Sequence, residues 1–117
     1  MIIANEVVEK MFNRMRSDAP WNVDGELLWG YYFAADDRAS LESLAVHLSG
    51  MGYRSIDLSQ EKTGKYRLHV ERLEMHTVES LTERNAALHV LGTQSGVEYD
   101  GMDVGAPQQA ENKTRNG

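Results

Sequence analysis

Four histidines, His47, His69, His76 and His89, are the side chains of this sequence best suited to proton transfer or metal binding. A helical metal site needs two of them three or four residues apart with a third ligand close by. No pair meets that spacing, and there is no His-Glu-x-x-His. His47 and His89 each fall one residue from the apolar stripe of a predicted helix, so they read as helix-flank residues rather than ligands. His69 and Glu71 differ, because they alternate onto one face of a predicted strand. A base oriented by a carboxylate is the pairing that general acid–base chemistry uses. An ordinary surface pair has the same spacing, and no nucleophile or oxyanion loop stands near it. Gly50-Met51-Gly52 has the glycine content of a phosphate loop. It follows a helix instead of opening one, and the third glycine is missing, which makes it a helix cap.

An RNA-recognition reading would need a basic residue, a glycine and stacked aromatics on one strand. The corresponding stretch, Lys65-Tyr66-Arg67-Leu68-His69-Val70, has one aromatic and no internal glycine. What these residues leave is a binding surface for protein. In Trp29-Gly30-Tyr31-Tyr32-Phe33, alternation sends Trp29, Tyr31 and Phe33 one way and Gly30 and Tyr32 the other. The bulkier set is expected to pack under helices, leaving Tyr32 outward beside His69 and Glu71 as candidate partner-binding residues. Aromatic residues supply much of the energy at binding hot spots. The other possibility is that an N-terminal helix covers this face and turns it into core.

The elements that must position these residues follow from periodicity. Residues 1–17 carry Ile3, Val7, Met11 and Met15 at helical spacing, with Val8 and Phe12 beside them, and Ser17-Asp18-Ala19-Pro20 ends that helix. Leu27–Phe33 is an apolar, aromatic run of strand length. Asp36 or Asp37 then caps a helix whose core stripe is Leu41, Leu44, Ala45 and Leu48, ending at Gly50 or Gly52. Arg54–Leu58 and Tyr66–Glu71 alternate in polarity around a polar loop, as a hairpin does; Tyr66, Leu68 and Val70 point one way, Arg67, His69 and Glu71 the other. A second helix is predicted from Thr77 to Leu91, with Val78, Leu81, Asn85, Leu88 and Leu91 on its stripe and Gly92 and Gly96 at its exit. A short strand at Val97–Tyr99 leads into an Asp100-Gly101 turn. The order strand, helix, strand, strand, helix, strand predicts an α+β, ferredoxin-like split βαβ sandwich. It has a four-stranded antiparallel sheet, two helices on one face and an extra N-terminal helix. The organisation expected is an N-terminal helix over 1–20, a ferredoxin-like domain over 24–105 and a disordered tail over 106–117, whose polar residues cannot offset the entropy of ordering.

Composition bounds the rest. A chain of 117 residues with 41% hydrophobic and 26% charged residues has the make-up of one globular domain. There is no cysteine, hence no disulfide or thiolate site, which suits a reducing cytosol. The first six residues reach charge at Glu6 without a basic lead-in, so no signal peptide is expected. No window approaches the roughly 18 apolar residues of a membrane span. The 12 Lys and Arg against 18 Asp and Glu give a net charge of −6, which repels a phosphate backbone and disfavours direct nucleic-acid binding.

Across residues 26–103 the chain resembles one family, the bacterial type B regulators of ribonuclease E activity. The residues that carry the resemblance are Asp36-Asp37 after Ala35, Gly52-Tyr53 opening a strand, and Val97-Glu98-Tyr99-Asp100-Gly101 near the end. In the family the last motif continues with a tryptophan where this chain has Met102, and well-studied members end in a long acidic extension that Gln108–Gly117 does not match. The resemblance implies a ferredoxin-like, cytoplasmic, non-enzymatic domain without a cofactor, which binds an endoribonuclease and reduces RNA cleavage. The motif residues Asp36, Asp37, Gly52, Tyr53, Tyr99, Asp100 and Gly101 would then be structural. An immunity-type protein neutralising a different nuclease or toxin is the alternative, and an enzyme using His69 and Glu71 a third.

Overall fold

The computed structural model describes residues 3–19 and 21–106. In chain order the elements are helix α1 (Asn5–Asp18), strand β1 (Leu27–Ala35), helix α2 (Arg38–Gly50), strands β2 (Arg54–Gln60) and β3 (Tyr66–Glu74), helix α3 (Val78–Ser95) and strand β4 (Glu98–Gly105). The strands form one antiparallel sheet in the order β2-β3-β1-β4, so the described residues are α+β with three helices. Among the described residues no helix is long and apolar enough to cross a membrane. The expected disordered tail lies, from residue 107 onward, outside the described residues.

Local chemistry explains where each helix begins and ends. The Asp37 carboxylate accepts the Ser40 backbone N–H at 2.9 Å, satisfying a donor that the first turn of α2 leaves open. Asp37 is thus the cap, and Asp36 precedes it as an exposed residue. α2 closes at Gly50, with Gly52 at φ +96° just beyond it. α3 opens on a capping box: Thr77 Oγ1 accepts the Ser80 N–H at 3.1 Å, and Ser80 Oγ accepts the Thr77 N–H at 2.8 Å. It ends on left-handed Gly96.

One core cluster gathers Leu27, Trp29, Tyr31, Phe33 and Ala35 of β1, Leu68 and Val70 of β3, and side chains of all three helices. The alternation therefore runs as expected: Trp29, Tyr31 and Phe33 are fully buried and Tyr32 is half-buried on the other face. α1 joins the core side, where the Phe12 ring stacks on Trp29 at 6.0 Å between centroids, and it does not cover Tyr32.

Four expectations need correction. The buried stripe of α1 is Val8, Phe12 and Met15; Val7 is 54% exposed. Both stripes are apolar at helical spacing, so periodicity alone selects neither. Gly92 lies within α3, not at its exit, and a Cβ there would come 3.1 Å from the Val97 carbonyl oxygen, so the glycine lets β4 pass close to the helix. Asp100-Gly101 is not a turn after a short strand. β4 runs on to Gly105, and a register shift opposite Tyr32 and Phe33 leaves Asp100 as the extra residue of a bulge, with Gly101 at φ +126°. Finally, Glu71 shares the face of His69 but is 3% exposed, because Arg54 of the neighbouring strand lies against its carboxylate at 2.7 Å.

Candidate functional site

Antiparallel pairing of β1 with β3 sets Tyr32 opposite His69 and Gly30 opposite Glu71, while β4 brings Gly101 and Asp103 to the same two positions from the other side. The sequence-predicted residues Tyr32, His69 and Glu71 are therefore brought together on the sheet face away from the core. The Tyr32 ring stacks on the His69 imidazole at 4.4 Å and 13°. The Arg67 guanidinium sits 4.5 Å from the same ring, a cation–π contact. The Tyr32 hydroxyl donates to Asp103 Oδ2 at 2.6 Å. Burial, then the Asp103 carboxylate that its proton serves, push this hydroxyl up to about 12, so the phenol stays protonated.

Gly30 makes room for this arrangement: a Cβ would collide with the Asp103 carboxylate and lie 2.8 Å from His69 Nε2. Ion pairs frame the stack, Arg54 with Glu71 at 2.7 Å, Arg67 with Asp100 at 3.7 Å and Lys65 with Glu98 at 3.9 Å. The result is a platform of two stacked rings and a guanidinium, half-buried and held by cross-strand contacts. Glu71 belongs beneath it as a support.

A second polar constellation lies on the core side of the sheet, where β3 ends and α3 begins. Glu74 Oε2 accepts from the Tyr31 hydroxyl at 2.8 Å and from His76 Nε2 at 2.6 Å. Arg84 Nη1 lies 2.5 Å from Glu74 Oε1 and 2.6 Å from the Tyr53 hydroxyl, and Arg72 approaches the same carboxylate at 3.5 Å. Because a carboxylate only accepts, His76 Nε2 carries the proton, and Nδ1 in a neutral ring receives the Ser80 hydroxyl at 2.9 Å. Burial would raise the Glu74 carboxyl, but hydrogen bonds from His76, Arg84 and Tyr31 outweigh it and hold it at about 2. Burial likewise pushes the Tyr31 hydroxyl up, reinforced by the Glu74 charge. Nearby, Tyr99 donates to Asn85 Oδ1 at 2.6 Å, and the Asn85 amide nitrogen lies 3.4 Å from Met102 Sδ. Tyr53 and Tyr99 thus anchor polar contacts inside the helix layer, and Met102 meets Asn85 there.

Sequence reasoning missed Arg67, Asp103 and Gly30 as partners of Tyr32, and the whole cluster around Glu74. Asp103 is invisible once Asp100-Gly101 is taken as the end of the strand. The spacing Thr77-x-x-Ser80 directly after His76 was the available signal for the second cluster, since a capping box fixes the residue before it.

Comparison with curated proteins returns no match. Comparison with protein families matches residues 5–104 to the family described as regulator of ribonuclease activity B. That match takes in all four strands but the last residue of β4, and all three helices. The platform, the buried Glu74 cluster and the motif residues all fall inside it, and the chain belongs to the regulator of ribonuclease activity B family.

Proposed function

We propose that this chain is a cytoplasmic, non-catalytic regulator that binds an endoribonuclease of the ribonuclease E type and restrains RNA cleavage, docking it on the sheet face around Tyr32 and His69. The observation that carries the reading is the stack of Arg67, Tyr32 and His69 on a sheet face that none of the core-side helices needs, in a chain whose family regulates ribonuclease activity. Tyrosine and arginine are among the residues in which binding hot spots are enriched. The strand order β2-β3-β1-β4 supports a ferredoxin-like split βαβ arrangement over residues 24–105, with α1 as an addition. On this reading Asp37, Gly52, Tyr53, Tyr99, Asp100 and Gly101 build the scaffold, and Tyr32 and His69 carry the contact with Glu71 buttressing them.

The test is affinity capture of the tagged full chain from its host, beside a Tyr32→Ala/His69→Ala variant whose melt is checked first. Recovery of ribonuclease E by the wild type and a fall of about tenfold or more in the folded variant is the expected result. Recovery of a toxin nuclease encoded nearby would instead make this an immunity protein. Undiminished capture of the ribonuclease by the variant would move the docking surface off this face.

A further inference from the structure

Helix α1 has a second apolar stripe, Val7 and Met11, that the core covers only in part. Val7, Met11 and Met15 line a groove of about 300 Å³ whose other wall is Val104, with Lys10 and Arg14 at its rim. Val7 is 54% exposed, and Met11 and Val104 are only partly buried. Among the described residues no carboxylate lines the groove. Among the described residues neither Lys10 nor Arg14 is in an ion pair, although the chain as a whole carries six more acidic than basic side chains. Val104 belongs to β4, which among the described residues pairs with β1 alone and ends the sheet. An edge strand presents backbone N–H and C=O groups that an added strand can complete.

We propose that this groove docks an extended apolar segment bearing carboxylates, contributed by a partner protein and laid along the free edge of β4. Its apolar side chains fill the space between Val7, Met11 and Val104, and its carboxylates meet Lys10 and Arg14. The three requirements come from separate observations. The strand edge asks for an extended backbone, the partly open Val7 and Met11 surface asks for apolar side chains, and two cations held in no ion pair ask for acidic ones. This surface lies on the core side of the sheet and is independent of the Tyr32 platform.

The experiment uses the full chain labelled for amide NMR and two eight-residue peptides, the length of β4, with serine at the even positions, valine at positions 1 and 5, and either glutamate or lysine at positions 3 and 7, so that valine and charge share the face turned to α1. The glutamate peptide is expected to shift the amides of β4 and α1, to lose affinity as salt rises, and to bind about tenfold more tightly than the lysine peptide. The Lys10→Glu/Arg14→Glu variant, altered only at the rim, should keep its melt and reverse that preference. Should the variant melt early, the salt dependence and the peptide preference of the wild type still decide. Equal binding of both peptides, no binding at millimolar peptide, a helical bound peptide, or shifts centred on Tyr32 or on the β2 edge would each overturn the proposal. Variants at Tyr32 and His69 should leave peptide binding unchanged, so the two docking surfaces fail or stand separately.

Discussion

Glu74 gathers four polar contacts on one partly buried carboxylate. Two hydrogen-bond donors reach one carboxylate oxygen, and two guanidinium groups lie on the other. Its folded-state carboxyl, held at about 2, lies below the ordinary 4.5. A depressed folded value means that Glu74 stabilises the fold above the unfolded value, and that contribution disappears as pH falls from 4.5 through 2. Chemical unfolding of the wild type should therefore weaken more steeply across that window than unfolding of Glu74→Gln. At neutral pH the variant should be less stable by on the order of 2 kcal/mol, because donors that matched a charge face an amide. Parallel pH profiles for the two proteins would show that the cluster does not couple to folding. Little of this was legible in the sequence. Glu74 and His76 sit two apart at the end of a strand, and what joins them is Arg84 from the second turn of α3 and Tyr53 from beyond α2, contacts that arise only once the helices pack. Tyr32, by contrast, could be placed outward from alternation alone, because bulk decides which aromatic set a core keeps.

Among the elements, β4 departs furthest from its local reading. A glycine after an aspartate ordinarily marks a turn, yet here Gly101 stays in the ladder opposite Tyr32, at a positive φ that other residues reach only with strain. No atom lies within 4 Å of where its Cβ would be, so a substitution meets backbone strain and no clash. Gly101→Val should lower stability by about 1 kcal/mol or more, read as a depressed melting temperature. An unchanged melt with impaired partner capture would assign the position to the interface. The helices were more legible. α2 and α3 each have one apolar stripe, and Leu41, Leu44, Leu48, Leu81 and Leu88 are buried as periodicity requires. α1 has two stripes, so spacing could not tell the core side, Val8 and Phe12, from the groove side, Val7 and Met11. The difference is set by Trp29, whose ring Phe12 covers.

At the scale of the whole molecule, charge separates the partners. A net charge of −6 opposes a polyphosphate, and on the platform the cations Arg54 and Arg67 already face Glu71 and Asp100. The protein is expected not to bind single-stranded RNA tightly, and a filter-binding titration checks this. Saturable, salt-sensitive binding near micromolar protein would mean that the ring stack receives bases instead of a protein surface. The bulge in β4 carries a consequence of its own. Before it, odd-numbered Tyr99 points into the core; after it, even-numbered Met102 and Val104 do, while Asp103 swings out to Tyr32. Asp100 thus acts as a change of reading frame for the strand. The spacing between Tyr99 and Met102 assigns sides to everything downstream, the platform's acidic partner and the groove's valine wall alike. Two relatives that differ by one residue at this point would therefore display opposite faces of β4, however similar their sequences beyond it.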